Sequence, residues 1–189
     1  MMASAVLLLA LLSAWILLEL YLEYFFRSPM NANRQDGGSS KIFNVVILSS
    51  VGSWACVLAL EIRQEPHIAL YLPRVGVSLL MAGLTLRTYA IMTLRRYFTV
   101  DLAIQPWHRL IRHGPYRMVR HPSYTGALLC FWGLALSFGY WATAILIVVP
   151  VILAYLWRIA KEERILADAF GIAYQEYRNC TYCLVPGII

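Results

Sequence analysis

Residues 113–141 read "HGPYRMVRHPSYTGALLCFWGLALSFGYW". The chain changes character at one peptide bond in this stretch. Up to His121 it is basic, with Arg117 and Arg120; from Pro122 to the end there is no charged residue. Pro122 suits the first position of a helix, where a backbone N–H would have no intrahelical partner anyway. The boundary predicts a helix over 122–138 that leaves a polar loop and enters an apolar phase. A helix of about 17 residues is at the lower limit for crossing a bilayer. It is therefore read as one arm of a tight hairpin, turned at "GYW", with the next apolar run over 141–158. Pro150 is expected to kink that second arm.

The rest of the chain fits the same solvent. It is 60% hydrophobic and only 14% charged, with a mean hydropathy of +0.63, whereas a soluble domain carries roughly 25% charged residues. Apolar runs over about 3–26, 42–60 and 68–94 complete a set of five predicted helices. The fold class is thus an all-α integral membrane protein, a single domain over residues 1–189. The first run lacks a basic leader and is longer than a signal-peptide core, so it reads as a membrane helix. The halves differ in helix length and charge, which argues against an inverted-repeat transporter.

The formal charge is +6, and all the basic residues except Lys41 and Lys161 are arginine. They cluster by loop. Arg27, Arg34 and Lys41 follow the first helix; Arg63 stands beside Glu61 and Glu65 after the second; Arg95, Arg96, Arg109, Arg112, Arg117 and Arg120 follow the third. The hairpin turn has none, and the tail holds Arg158, Lys161, Arg164 and Arg178. This alternation predicts an external N-terminus, a cytoplasmic C-terminus, and a third loop and tail that share the cytoplasmic face. It also accounts for the charge without nucleic acid. Cys180 and Cys183 form a lone C-x-x-C with no second Cys or His pair, so no zinc site is expected. Cys56 and Cys130 lie in apolar runs, where an inert buried thiol is the usual state.

Three polar clusters sit at the cytoplasmic ends. His121 stands beside the free N–H groups that open the helix at Pro122, an end that attracts anionic or electron-rich groups. In "RIAKEER", 158–164, Arg158 and Glu162 are four apart and share a helical face. Acidic residues at a membrane boundary are costly unless solvated or paired, so Glu162 and Glu163 are solvated or form part of a polar wall. "HRLIRHGPY", 108–116, puts a histidine and a Gly-Pro turn beside two apolar residues. Taken singly, each cluster also fits a basic interfacial anchor with Tyr116 and Tyr124 as belt residues. Of the membrane arginines, Arg74 reads as snorkelling and Arg87 as a neighbour of the polar site. Glu19 and Glu23, one turn apart at the end of the first helix, can reach the interface or a polar site.

Together the clusters have an order that an anchor does not need. "HRLIRHGPYRMVRHPSYTG" (108–126), then "RIAKEERILADAFGIAYQEY" (158–177), resembles the isoprenylcysteine carboxyl methyltransferase family over about residues 95–186. The resemblance implies a pocket for S-adenosylmethionine at the cytoplasmic membrane edge. His108, Arg109, Leu110, Ile111, Tyr116, His121, Pro122, Ser123 and Tyr124 would line it, and Glu162 would hold the cofactor by polar contact. Arg158 would face the carboxylate of a prenylated or other lipophilic acceptor entering from the bilayer, with His121 as the second catalytic candidate. Relatives carry a polar contact seven residues before His108, where this chain has Asp101. The short form looks like the prokaryotic members, which places it in a plasma membrane among lipids. Rival readings are a methyltransferase for a phenolic lipid or a phospholipid amine, and a nicotinamide-dependent membrane reductase. A phenol, with a pKa of about 10, needs a base that a carboxylate does not; His121 or Glu163 would then serve.

Overall fold

The computed structural model describes residues 2–26, 33–34, 41, 43–52, 72–101, 103–104, 108–137 and 141–187. Its helices are α1 (Met2–Phe25), α2 (Phe43–Gly52), α3 (Leu72–Leu94), α4 (Pro122–Ser137), α5 (Trp141–Phe170) and α6 (Ile172–Asn179). The helical expectation over 53–60 and 68–71 lies outside the described residues, as do Cys56 and the "GYW" start at 139–140. Three described helices, α1, α3 and α5, are long and apolar enough to cross a membrane, and the chain is an integral membrane protein. α4 begins at Pro122, where the charge boundary placed it.

α5 runs well past its apolar phase. The loss of apolar character at Arg158 set the end of the expected membrane run, with the polar segment from Ile159 expected to begin as its continuation, and the helix does run on through "RIAKEERILADAF" to Phe170. Lys, Glu, Arg, Leu and Ala all favour helix, so polarity marks where the apolar phase ends rather than where the helix does. Pro150 lies inside this one continuous element. At Gly171 the chain takes φ +54°, a left-handed value that glycine adopts without steric cost, and α6 starts in a new direction.

Helix association here rests on close packing, because lipid removes most of the hydrophobic drive between helices. α4 packs most extensively against α3 rather than against its hairpin mate α5. Glycines make this possible. A Cβ on Gly83 would lie 2.6 Å from the carbonyl oxygen of Gly126, and one on Gly133 would lie 2.5 Å from the backbone N of Leu80. The backbones meet directly along this seam. Around it Trp15, Leu80, Cys130, Phe131, Ile147 and Val151 join α1, α3, α4 and α5 in one core, with Trp15 edge-on to Phe131 at 4.8 Å.

A small ladder departs from the all-α expectation. β1 (Asn33–Arg34) pairs antiparallel with β2 (Ala103–Ile104), and the Val100 N–H donates to the Phe26 carbonyl at 3.0 Å. The loops after α1 and after α3 therefore lie at the same end of the bundle. A half-buried ion pair ties the same two helices. Arg87 of α3 meets Glu19 of α1 with 2.7 Å between Nε and Oε1 and 2.7 Å between Nη2 and Oε2. Glu19 also accepts from Trp15 Nε1 at 3.0 Å.

Candidate active site

The site is assembled at the first turn of α4. The backbone leading into it is held by the C-terminal segment. Val119 bridges Tyr182 in parallel, Arg120 N–H donates to the Tyr182 carbonyl at 2.8 Å, and His121 N–H donates to the Cys183 carbonyl at 3.1 Å. Thr125 Oγ1 adds a bond to the Leu184 carbonyl at 2.8 Å. These bonds fix the direction from which the His121 ring leaves the chain. Arg87, on the α3 side, donates from Nη1 to the Ser123 carbonyl at 3.2 Å and to its Oγ at 3.1 Å. The α3 arginine thus supports the first turn of α4.

His121 is buried and lies between two carboxylates of α5. Its Nε2 is 3.4 Å from Glu163 Oε1 and its Nδ1 3.9 Å from Glu162 Oε2. Its ring stacks on Tyr124 at 5.6 Å and 7°. Glu163 accepts from Arg120 Nε at 2.8 Å and is 3.7 Å from Arg178 Nε. Burial opposes the charge on Arg120, but the hydrogen bond and charge of Glu163 outweigh it and raise the guanidinium pKa. The ligand atoms of His121, Glu163 and Cys183 lie within 4.8 Å of one another. A cation there would face two guanidinium groups already set on the carboxylate, so the trio is better matched to a charge-paired network.

Beside this network a cleft of about 120 Å³ opens to solvent. His108, Arg109, Leu110, Ile111, Tyr116, His121, Ser123, Tyr124 and Glu162 all line it, and so does Asp101. Pro122 is buried under the turn and is not a lining residue. Arg158 is buried too, 5% exposed, and stands behind Tyr124 instead of in the wall. Arg120, Phe170, Tyr174 and Tyr177 also line the cleft. None was named as a site residue from the sequence, although Phe170, Tyr174 and Tyr177 stand in the 158–177 motif that carries the family resemblance.

The lining has the chemistry of a nucleoside-like group with a charged tail. Aromatic faces are supplied by Tyr97, Phe98 and Phe170, with His108 at 5.6 Å from Tyr97 and 5.9 Å from Phe170. Glu162 and Asp101 present carboxylates to hydroxyl or ammonium groups. Two buried polar atoms of lining residues, His108 Nδ1 and Tyr174 Oη, have no hydrogen-bond partner among the described residues. Buried polar atoms are nearly always paired, so each of these two has an unused hydrogen-bonding capacity beside the cleft. Burial lowers the His108 pKa against the opposing pull of Glu162, and burial with Glu162 raises that of Tyr116 well above the usual phenol range.

A sequence profile of the isoprenylcysteine carboxyl methyltransferase family matches residues 76–168, which include the α3–α4 seam, the 108–124 wall and both α5 carboxylates. Protein-S-isoprenylcysteine O-methyltransferase A of Arabidopsis thaliana is 34% identical over 59% of this chain and 57% of its own. A probable protein-S-isoprenylcysteine O-methyltransferase of Oryza sativa subsp. indica is 29% identical over 77% of this chain and 83% of its own. The solved eukaryotic intramembrane Ras methyltransferase, an isoprenylcysteine carboxyl methyltransferase, superposes with a TM-score of 0.63 at 24% identity, over 75% of this chain and 52% of that one. The chain therefore spans little more than half the length of the Arabidopsis and solved proteins. Profile, relatives and fold agree on one likeness, to the isoprenylcysteine carboxyl methyltransferase family.

Proposed function

We propose that this protein is an S-adenosylmethionine-dependent methyltransferase that esterifies the carboxylate of an isoprenylcysteine-like or other lipophilic acceptor. The observation that carries the reading is the cleft itself: the 108–124 wall and Glu162 meet there, with two buried unpartnered polar atoms among the lining residues. The family relatives support the same chemistry.

When bound, S-adenosylmethionine supplies an electrophilic methyl group on a sulfonium. The aromatic faces hold the flat end of the donor, His108 and Tyr174 pair its polar edge, and Glu162 and Asp101 hold its cationic and hydroxyl groups. Arg158 orients the acceptor carboxylate. That nucleophile is already ionised at neutral pH and needs no base. Alignment is then the main task of the protein, and holding reactants in attack geometry can contribute about 7–11 kcal/mol. His121 keeps the Tyr124 ring in place by stacking and carries a proton relay to Glu163 for any acceptor that must lose one. An amine acceptor suits Arg158 poorly, since both are cationic.

The loop charges favour five crossings, with the N-terminus outside and the cleft on the cytoplasmic face of a prokaryotic plasma membrane. The β1–β2 ladder supports the part of this reading that puts the first and third loops together. A long apolar acceptor would enter sideways between helices while the donor arrives from the cytoplasm. The test is calorimetric binding of S-adenosylhomocysteine to detergent-purified protein, beside Glu162→Ala, His121→Ala and NADPH as competitor. Binding that either substitution abolishes is the expected result. No binding to folded wild type, or binding of NADPH instead, would overturn the methyltransferase reading.

A further inference from the structure

The substrate arginine and the donor cleft are not in direct continuity. Arg158 is absent from the cleft wall, and the residue between them is Tyr124. Its hydroxyl donates to Glu162 Oε2 at 2.6 Å and accepts from Arg158 Nε at 3.1 Å. One phenol oxygen thus holds a carboxylate of the donor cleft on one side and the guanidinium on the other. The ring cannot easily leave this post. His121 stacks on one face, and Tyr155 lies at 5.2 Å and 57°. Among the described residues the guanidinium is also supported by the Val100 carbonyl, which accepts from Nη2, and by the Phe43 ring, 5.0 Å below its centre. Each fixes an edge or a face of Arg158, and Tyr124 is the described residue that relates it to Glu162 on the donor side.

A methyl transfer needs the acceptor oxygen in line with the donor, so the two binding sites must be registered to a fraction of an ångström. Glu162 and Arg158 lie one turn apart on α5, but both are long, flexible side chains whose rotamers that spacing does not set. Resting on the methyltransferase reading above, we propose that Tyr124 is the positioning residue for the acceptor carboxylate: its hydroxyl fixes Arg158 relative to Glu162 and so registers the acceptor site to the donor cleft. A hydrogen bond between a phenol and a guanidinium is charge-assisted and directional, and the contact is buried away from competing water.

The test is Tyr124→Phe, which removes the hydroxyl and keeps the ring stack. With S-adenosylhomocysteine saturating, the affinities of N-acetyl-S-farnesylcysteine and of its methyl ester are measured by calorimetry in wild type and variant. The acid is expected to weaken about tenfold, the loss typical of one charge-assisted hydrogen bond. The ester, which carries no anion for Arg158, is expected to change less than about threefold, at an unchanged melting temperature. Equal weakening of acid and ester, or no change in either, overturns the inference. The tie is also read without any acceptor. In arginine-labelled protein, hydrogen exchange at Arg158 Nε–H is expected to be slow in wild type and fast in Tyr124→Phe; an unaltered rate overturns the inference whatever the acceptor. Wild-type protein that binds no S-adenosylhomocysteine speaks against the methyltransferase reading alone, and the exchange measurement still decides the role of Tyr124.

Discussion

Tyr174 and His108 each bury a polar atom that the protein leaves unpartnered. For Tyr174, only 2% exposed, removing the hydroxyl costs the folded protein no hydrogen bond, while a bound ligand loses one. Tyr174→Phe is therefore expected to keep the wild-type melting temperature and to weaken S-adenosylhomocysteine about tenfold by calorimetry. His108 adds a pH dependence. Its folded pKa lies below the ordinary 6.5 because burial disfavours the imidazolium. As pH falls, the unfolded chain takes up the proton first. The contribution of neutral His108 to stability is full above about pH 6.5 and is lost as pH falls from there through the folded value. Thermal unfolding between pH 7.5 and 5 is expected to show this fall, and His108→Gln to flatten it. The sequence named His108 through a motif, but nothing in the motif says that its Nδ1 is left without a partner.

At the scale of elements, the seam between α3 and α4 sets where the site stands. Gly83 is one turn before Arg87, and the carbonyl it touches belongs to Gly126, one turn after Pro122. An added methyl at Gly83 would meet backbone atoms at 2.6 and 2.8 Å, which cannot rotate away. Gly83→Ala is expected to destabilise by about 1–3 kcal/mol, as overpacking does, and to weaken S-adenosylhomocysteine, because Arg87 then loses its reach to Ser123. Gly52→Ala is the control; a Cβ there meets nothing within 4 Å among the described residues, and neither stability nor binding is expected to change. Denaturation and calorimetry on the two variants check both statements. The start of α4 was legible in the His121–Pro122 step. That α5 continues past Arg158 was legible too, but its end at Phe170 was not, because helix propensity continues where hydropathy stops.

For the whole molecule, the ladder and the Phe26–Val100 bond place two arginine-rich loops at one end. With the cleft at that same end, the proposed topology makes a definite statement about sidedness. Single cysteines at Arg117, which is exposed, and at Arg63 are expected to label from opposite sides of sealed vesicles in a background without the native cysteines. Arg117→Cys should react from the cytoplasmic side only, and labelling of both from one side would overturn the five-crossing topology. The C-terminal segment belongs to this scale too. Residues 181–184 return some sixty positions along the chain to pair with residues 118–121, so the far end of the protein shapes the ring position of His121.

The amino-acid sequence by itself determined the solvent, the start of α4, the grouping of basic loops, and the family likeness, because these depend on composition, local charge and a fixed order of side chains. Part of the cleft wall was legible for the same reason: residues 108–111, Tyr116, His121, Ser123 and Tyr124 are close in the chain. The tertiary structure alone decided that α4 seats against α3, that the C-terminal segment braces His121, that Arg120 and Tyr174 enter the wall, and that Tyr124 stands between the cleft and Arg158. Each of these depends on atoms from separate elements meeting within hydrogen-bond or contact distance, and such distances are fixed by packing rather than by any spacing along the chain.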